Sequence, residues 1–576
     1  MDAMADDVPP TKFRAGAIDR LKGWLEATLN ASELEPAFIP ARFTHGWLLT
    51  LDVGGTSMDL HMFIDEQFPW TAPRVGLSPP PPFPSYPHVE RDGLVCVLSH
   101  VAECDPYNVI GSATLVLAGA ADILTQGLAG TNANEFRTEF LSYWNANALG
   151  KAISILDPCG PSRAISVWPG KKWLLAAENP SSIRSWLLNR FEKRHVAEST
   201  LTRGLVLWLD QLPKPTDYPS TIDGVAAMAT AAGAGDLLSR LMTEARQELL
   251  VLFGADTGNG VCWGAVNLVK RKSHGRHGKR GPPPRCASII AVRHAVERAD
   301  AWWIHGRDSN EDLTDLRTMR VVMIGCGSLG SPIARLLAQA GVGQLDLIDP
   351  EVMEWANTSR HALGAESVPA GKAVQLAAQL SRGFPHSRFV GHGGKWQAVD
   401  VVLEGSDLIV SSVGSWRAEG ALNERLLGSG LPPIIYAWTE PHGVAGHALA
   451  LGRGSGCLQC QLGEHGEPLA QVVDWEHITL KQEPACGAHF QPYGASAIMN
   501  SAVLAADLAL DVLLERAAPS TYRIASALSA VIERLGGTWG QAWTKRTGYG
   551  SEGGRIEEFA WLPNISCRAC AGKGLP

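Results

Sequence analysis

Long uninterrupted hydrophobic runs are missing from this sequence of 576 residues. No stretch reaches the roughly 18 apolar residues that a membrane helix needs, and the N-terminus MDAMADDVPP lacks the basic and then apolar segments of a secretory signal. An excess of basic charge is also absent, because 50 Lys and Arg face 58 Asp and Glu, for a net charge of −8. We therefore expect a cytoplasmic protein with no membrane partner and do not expect a nucleic-acid partner.

Cysteine is sparse and odd in number, with 11 residues spread along the chain. This usage excludes a disulfide framework and indicates reduced thiols. Hydrophobic residues at 45% and charged residues at 19% exclude a largely disordered chain. The length predicts several domains, which we expect to form a multidomain α/β protein.

Three zones divide the chain, with predicted domains at residues 1–160, 161–300 and 301–576. In the first zone we predict helices at Ala15–Leu29 and Val109–Thr125, strands at Trp47–Val53 and Met58–Ile64, and an irregular proline-rich loop at Ser78–Pro87. In the second we predict helices at Ser181–His195 and Asp236–Phe253 and strands at Gly204–Trp208 and Val261–Val269. Its basic segment Lys270–Arg285 contains no aromatic residue, which favours a solvated loop over a nucleic-acid contact.

The third zone begins its alternating strands and helices with a candidate nucleotide site. A strand from Arg320 ends in a turn of pattern GxGxxG, and a helix follows at Pro332–Ala340. The three glycines are Gly325, Gly327 and Gly330. Such a turn lets backbone amides and the helix N-terminus approach a phosphate. Asp349, at the end of the next strand and 24 positions after the first glycine, is a candidate to bind a ribose. These residues alone leave an NAD-dependent dehydrogenase open.

Asn357, Arg360 and Lys372 follow this aspartate and favour different chemistry. Hydride transfer does not need an asparagine and two cations beyond the ribose acid, whereas the expulsion of pyrophosphate from ATP does, because charge builds on the phosphates. The order of these residues resembles the ThiF/MoeB/E1 superfamily, whose members adenylate the C-terminal glycine of a protein. The resemblance implies a Rossmann-like domain in which Asp349 holds the ribose and the other three contact the phosphates of ATP.

The same resemblance implies an arginine and a metal ligand. Arg307 stands where the family places an arginine that reaches into the ATP site of a partner subunit, so we expect a homodimer. Family members place an aspartate that binds magnesium where this chain has Gly414. Magnesium therefore stays a candidate cofactor, held by another acid or absent.

Two CxxC pairs are spaced like the ligands of a structural zinc site. They are Cys457 with Cys460 and Cys567 with Cys570. A tetrahedral zinc ion there would join the last residues of the chain to the body of the domain. Between the pairs, Cys486 precedes a predicted helix at about Ala495–Arg516, whose dipole would favour its thiolate. The family resemblance implies that Cys486 is the catalytic cysteine.

The first zone resembles the ubiquitin-conjugating E2 (UBC) fold, which is α+β. The resemblance rests on Phe68–Val75, Tyr86-Pro87-His88, Cys96 and Asp105-Pro106. Cys96 lies eight residues after His88, as the E2 cysteine lies eight residues after an asparagine. The resemblance implies that Cys96 carries an acyl group and that the His88 imidazole donates the hydrogen bond expected of that asparagine. Cys104 takes the place of a family tryptophan and is expected to be structural.

An E2-like domain before an E1-like domain resembles the bacterial E1–E2 fusion proteins of type II CBASS anti-phage operons. That resemblance implies ligation of the C-terminal glycine of a cGAS/DncV-like nucleotidyltransferase to target lysines; related operons use a ubiquitin-like protein. The expected cofactors are ATP, structural zinc and a candidate magnesium ion. A sulfur-carrier activator and a non-catalytic scaffold stay open as alternatives. Residues 161–300 have no assigned role.

Overall fold

The computed structural model describes residues 9–98, 105–192, 197, 200–270, 288–428, 430–463, 468–469, 471–483, 489–548 and 552–571. The chain divides into two compact units. The first comprises Met1–Ala152, Cys159–Ala164 and Arg203–Glu297, and the second comprises Ile153–Pro158, Ile165–Thr202 and Arg298–Pro576. The predicted domain boundaries at residues 160 and 300 stay a prediction.

The N-terminal part of the first unit is a helix, an antiparallel sheet and a second long helix. Its elements are α1 (Thr11–Leu29), β1 (Ser32–Glu33), β2 (His45–Val53), β3 (Thr56–Ile64), β4 (Arg74–Leu77), β5 (Leu94–Val95), α2 (Val109–Ala129), α3 (Glu135–Thr138) and α4 (Phe140–Asn145). The five strands pair in chain order. The hairpin β2–β3 turns on Gly54 and Gly55, whose φ angles of 61° and 84° suit a two-residue turn.

The faces that these elements turn toward one another form one core. Leu21 and Leu25 of α1 and Trp47 of β2 are fully buried there, together with Leu60 of β3 and Ala113 of α2. The proline-rich loop Ser78–Pro87 contains neither helix nor strand, as its composition predicts.

In the rest of the first unit, the structure differs from the prediction at one helix. The structure has α6 (Ile222–Ala231), α7 (Gly235–Glu244), β9 (Thr202–Trp208), β10 (Glu248–Asp256), β11 (Val261–Lys270) and β12 (Ile289–Arg298). The helix predicted at Asp236–Phe253 is therefore wrong beyond Glu244. Strand β10 pairs with β9 on one side and β11 on the other, and seven consecutive residues of it are buried. A strand buried on both faces has a continuous apolar run, which periodicity does not distinguish from a buried helix.

A shorter group of elements precedes the large sheet of the second unit in the chain. It comprises β6 (Gly150–Ser154), β7 (Arg163–Pro169), β8 (Leu174–Ala177) and α5 (Pro180–Phe191). Strands β7 and β8 form an antiparallel hairpin, and α5 begins at an Asn179 cap. The basic segment predicted as a solvated loop lies outside the described residues from 271 onward.

The second unit contains an eight-stranded sheet in the order β15-β14-β13-β16-β17-β18-β22-β24. The strands are β13 (Arg320–Ile324), β14 (Gln344–Ile348), β15 (Arg388–His392), β16 (Leu408–Ser411), β17 (Ile434–Thr439), β18 (Ala445–Leu451), β22 (Thr521–Ser526) and β24 (Ile556–Ala560). The first five are parallel and the last three pair antiparallel. A parallel sheet brings the carboxyl ends of β13, β14 and β16 to one edge, which is where such sheets bind ligands.

Helices cover this sheet and fill its core. They are α8 (Ala301–Ile304), α9 (Leu313–Leu316), α10 (Gly330–Ala340), α11 (Lys372–Gly383), α12 (Val401–Glu404), α13 (Trp416–Gly428), α14 (Ala495–Leu513), α15 (Ser529–Arg534) and α16 (Gln541–Thr547). Short strands lie at β19 (Val473–Trp475), β20 (Lys481–Gln482), β21 (His489–Phe490) and β23 (Gly537–Trp539). Of the described helices, α2 and α14 are long and apolar enough to cross a membrane, yet both contribute buried faces to cores.

Candidate functional site

The glycine turn lies between β13 and α10, and two of its glycines are sterically required. Gly325 has a φ of 87°, and a Cβ there would lie 3.1 Å from the backbone oxygen of Ser412. A Cβ on Gly330 would overlap the carbonyl oxygen of Gly325. Nothing lies within 4 Å of the corresponding position on Gly327. The turn is therefore tight on its protein side and open beside Gly327, at the N-terminal end of an 11-residue helix that favours a phosphate.

Asp349 follows β14 and binds this turn directly. Its side chain is buried, and its Oδ2 accepts the Cys326 N–H at 2.7 Å while its Oδ1 accepts the Glu351 N–H at 2.8 Å. Each carboxylate oxygen has a further lone pair, so the position stays suited to a ribose hydroxyl. His361 supports the same turn, because its Nε2 donates to the Cys326 carbonyl at 2.5 Å while its Nδ1 accepts the Leu363 N–H.

Arg360 reaches the glycine turn through an aromatic ring. Its guanidinium carbon lies 4.9 Å from the centroid of the Tyr493 ring, and the Tyr493 hydroxyl lies 2.8 Å from Oγ of Ser328 in the turn. Lys372 is buried at the start of α11, and its Nζ donates to Oε2 of exposed Glu351 at 2.5 Å. Arg360 is thus linked to the turn through Tyr493, and Lys372 is linked to Asp349 through Glu351. Tyr493 was not predicted, and its sequence context carries no signal for it.

Asn357 occupies a local role in the structure. Its Oδ1 accepts the Glu354 N–H at 3.1 Å and caps a short 3₁₀ turn at Trp355–Asn357. Its predicted contact with ATP phosphates stays a prediction.

Gly414 has the left-handed φ of 63° and open space beside its Cα, so the structure offers no side-chain ligand at the place of the family's metal-binding aspartate. The adjacent acid is Glu419 of α13, whose Oε1 accepts the Ser411 hydroxyl at 3.2 Å and the Gly414 N–H at 3.3 Å. Burial raises the pKa of Glu419 to about 7, although these hydrogen bonds lower it. Glu419 is thus held by hydrogen bonds within its own chain, and Gly414 itself supplies no side-chain ligand for a metal ion.

The four predicted zinc cysteines converge although the two pairs lie about a hundred residues apart. The Sγ atoms of Cys457 and Cys567 lie 3.6 Å apart, as do those of Cys460 and Cys570. All four are buried, and their Sγ atoms lie within 4.8 Å of one another. A tetrahedron with metal–sulfur distances of about 2.3 Å has edges of about 3.8 Å, so the cluster fits Zn²⁺. In the described part of the chain, these four cysteines form the one group of three or more His, Cys, Asp or Glu side chains that could hold a metal ion.

The N-terminal cysteine site is built on a tight hairpin. Val89 and Val95 form an antiparallel bridge, and the Cys96 N–H donates to the His88 carbonyl at 2.7 Å. His88 has a left-handed φ of 58°, and its own N–H donates to the Tyr143 hydroxyl at 2.8 Å. The spacing of eight residues therefore places the backbone of His88 directly against Cys96.

The His88 ring lies between two carboxylates. Its Nε2 lies 3.1 Å from Oε2 of Glu135, and its Nδ1 lies 3.1 Å from Oε1 of Glu139. Hydrogen bonding to Glu139 is the main cause that raises the pKa of His88, so the imidazolium form is favoured. With both N–H groups donating to glutamates, the ring has no donor left for an acyl oxygen. The predicted role of His88 as a direct donor therefore requires that one glutamate be released first.

The Cys96 thiol is half-buried and resists ionisation. Burial raises its pKa, Arg74 opposes the shift, and Glu139 and Glu90 add to it. The thiol form therefore predominates near neutral pH, and deprotonation precedes any attack by Cys96.

The other two predicted catalytic residues have different outcomes. Arg307 is exposed, follows α8 and has a left-handed φ of 51°. Cys486 lies outside the described residues, between β20 and β21. Cys104 also lies outside the described residues, so the structure tests neither cysteine.

Comparison with known proteins matches two parts of the chain. Residues 305–534 match the ThiF family and residues 43–152 match the Prokaryotic E2 family B. The ThiF match includes the glycine turn, and the E2 match includes His88 and Cys96. These matches confirm the predicted multidomain α/β chain with an E2-like domain before a Rossmann-like, E1-like domain.

Three curated relatives match different shares of this chain. The chain is 22% identical over 479 residues to the ATP-dependent ubiquitin transferase-like protein Cap2 of Pseudomonas aeruginosa, covering 78% of this chain and 84% of that protein. It is 26% identical to the Cap2 protein of Vibrio cholerae, over 40% of this chain and 41% of that protein. It is 29% identical to ubiquitin-like modifier-activating enzyme 5 of Dictyostelium discoideum, over 30% of this chain and 48% of that protein. The chain thus spans less than half of two of these relatives, and in its domain composition it is similar to an E1–E2 fusion such as the Cap2 proteins.

Proposed function

We propose that this chain, which joins a prokaryotic E2 family B domain to a ThiF family domain, uses ATP to activate the C-terminal glycine of a partner protein and ligates it to target lysines. The observation that carries the proposal is the presence, in one chain, of the open glycine turn at Gly327 and the cysteine hairpin at Cys96. Fusion makes transfer between the two cysteines intramolecular, so a hydrolysable thioester does not diffuse away.

The first step in this proposal is adenylation. A carboxylate oxygen of the partner attacks the α-phosphorus of ATP, and the bond to pyrophosphate breaks. Arg360 and Lys372 offset the charge that develops on the phosphates, with Lys372 exchanging exposed Glu351 for a phosphate oxygen. Magnesium stays a candidate cofactor that would be held by residues other than Gly414.

Three acyl transfers follow. The Cys486 thiolate attacks the acyl carbon and AMP leaves; the Cys96 thiolate then displaces Cys486; finally a target amine displaces Cys96 and loses its proton. His88 supports Cys96 through its carbonyl and its clamped backbone. The four buried cysteines would hold a zinc ion, which would join the C-terminal residues to the domain and would take no part in the transfers.

The proposed partner is a cGAS/DncV-like nucleotidyltransferase that ends in glycine, in bacterial anti-phage defence. The Vibrio and Pseudomonas relatives are named ATP-dependent ubiquitin transferase-like proteins, which supports an ATP-dependent ligation of this kind. A bacterial ubiquitin-like protein is the alternative substrate of the same chemistry.

The test is ATP–pyrophosphate exchange by the full chain with either purified candidate partner. We expect exchange with an intact C-terminal glycine and none after its deletion. Arg360→Ala and Lys372→Ala should each lose at least about a hundredfold in rate, as expected when a transition-state donor is removed. Arg335→Ala, on the exposed side of α10, is the matched control and should keep the wild-type rate. Absence of exchange with both partners, or wild-type rates in both site variants, would contradict the proposal.

A further inference from the structure

The loop after α8 holds Arg307 in a backbone conformation that is costly for ordinary residues. The φ angles of Gly306, Arg307 and Asp308 are 154°, 51° and 69°. A Cβ on Gly306 would lie 2.6 Å from Cβ of Asn310, so only glycine fits. Two successive non-glycine residues in the left-handed region cost on the order of 1 kcal/mol or more each. Such strain persists only where neighbouring contacts hold it.

A buried ion cluster supplies those contacts. The Arg298 guanidinium donates to both carboxylate oxygens of Asp300, at 2.9 and 2.8 Å, and to both oxygens of Asp308, the longer of these bonds being 2.7 Å. The exposed fractions of the three side chains are 7%, 1% and 14%. Asp300 also caps α8 by accepting the Trp303 N–H at 3.2 Å. One guanidinium therefore joins the start of the helix to the strained loop that follows it.

The Arg307 side chain is outside this cluster. It is exposed, and in the described part of the chain no side chain forms a hydrogen bond or ion pair with its guanidinium. Its amide donates to the Trp303 carbonyl at 3.0 Å, and the Asp308 amide donates to the Trp302 carbonyl at 3.1 Å. The backbone of Arg307 is thus fixed on both sides while its cationic group is free to meet an anion.

We propose that Arg298 is a positioning residue for Arg307, and that the Arg298–Asp300–Asp308 cluster holds the loop in the conformation from which Arg307 would reach the ATP site of a partner subunit, the role that the family resemblance implies for it. Buried ion pairs add little net stability compared with apolar packing, which favours a geometric role for the cluster. The consecutive Cα atoms of residues 307 and 308 are about 3.8 Å apart, so fixing Asp308 fixes the origin of the Arg307 side chain. This inference rests on the proposed adenylation.

The first test is a double-mutant cycle in the full chain. Arg298→Lys keeps the charge but loses the planar fork, and we expect pyrophosphate exchange to fall about tenfold in an otherwise wild-type chain and less than twofold in an Arg307→Ala background. Arg320→Lys, which weakens the ion pair of Arg320 with Asp346 elsewhere in the same unit, is the matched control. Its effect should be the same factor in both backgrounds. If Arg298→Lys also acts by an equal factor in both backgrounds, the positioning role is overturned.

The second test does not depend on activity. Hydrogen exchange of the Arg307 and Asp308 amides should be at least about tenfold faster in Arg298→Lys, with the amides of the central sheet unchanged. Asp308→Asn provides a second variant if Arg298→Lys fails to fold, and it should give the same local acceleration. Unchanged exchange at these two amides would overturn the inference even if adenylation is real. Lack of pyrophosphate exchange in the wild type would instead contradict the proposed function and leave this second test to decide the role of Arg298.

Discussion

Glu419 gives a pH prediction with a defined sign and size. Its carboxyl group is half-buried beside the loop that closes the glycine turn, and burial raises its pKa from 4.5 to about 7. The native state therefore holds a proton on Glu419 between about pH 4.5 and pH 7 that the unfolded state has released. Stability contributed by this group is fully present below about pH 4.5 and is lost as the pH rises through about 7.

The size follows from the shift. The difference between about 7 and 4.5 is about 2.5 pH units, which at about 1.4 kcal/mol per unit corresponds to about 3 kcal/mol. Residual exposure of the side chain makes this an upper bound. Glu419→Gln keeps an oxygen that accepts from Ser411 and Gly414 but removes the charge. The variant should match the wild type near pH 4.5 and be more stable by up to about 3 kcal/mol at pH 8.

Urea unfolding of the full chain, followed by tryptophan fluorescence at pH 5 and pH 8, measures this difference. Glu424→Gln removes a charge from the exposed side of the same helix and serves as the control. Infrared difference spectra should show the protonated Glu419 carboxyl group disappearing near pH 7 in the wild type and missing from Glu419→Gln. An equal effect of Glu419→Gln on stability at both pH values would refute the reasoning.

Three further predictions concern the cysteines and His88. Purified wild-type protein should carry about one zinc per chain with zinc–sulfur distances of about 2.3 Å by X-ray absorption, and Cys567→Ser should lose the metal; a zinc-free wild type would contradict the site. Glu139→Gln removes the main cause of the raised pKa of His88, so NMR titration should show that pKa falling toward its ordinary value, and an unchanged titration would count against the clamp. Cys96→Ala should trap the partner on Cys486 as a thioester cleaved by reducing agent, whereas Cys486→Ala should load neither cysteine; a Cys96 thioester in the latter variant would reverse the order of transfer.

Patterns confined to neighbouring residues predicted much of the fold. Strand β14 ends directly before Asp349, as predicted, and the glycine turn lies between β13 and α10 as its spacing indicates. Apolar periodicity and glycine placement act over a few residues, so they can be read without the tertiary structure. The helix predicted through Phe253 was wrong beyond Glu244, because burial of β10 on both faces depends on its neighbours β9 and β11. A local pattern of apolar residues does not reveal those neighbours.

The sequence by itself determined the order of the domains, the nucleotide turn, the spacing of His88 and Cys96, and the two CxxC pairs, because each is a short motif with its own chemistry. Only the tertiary structure decided which distant side chains modify them. The glutamates that occupy both His88 nitrogens lie 47 and 51 positions further along the chain, and Tyr493 reaches Ser328 across 165 positions. Glu419 acquires its raised pKa from burial beside the turn, and the loop that contains Arg307 is bound to Arg298 through Asp308. Local spacing carries no information about such contacts, since they arise when separate elements pack together and exclude water.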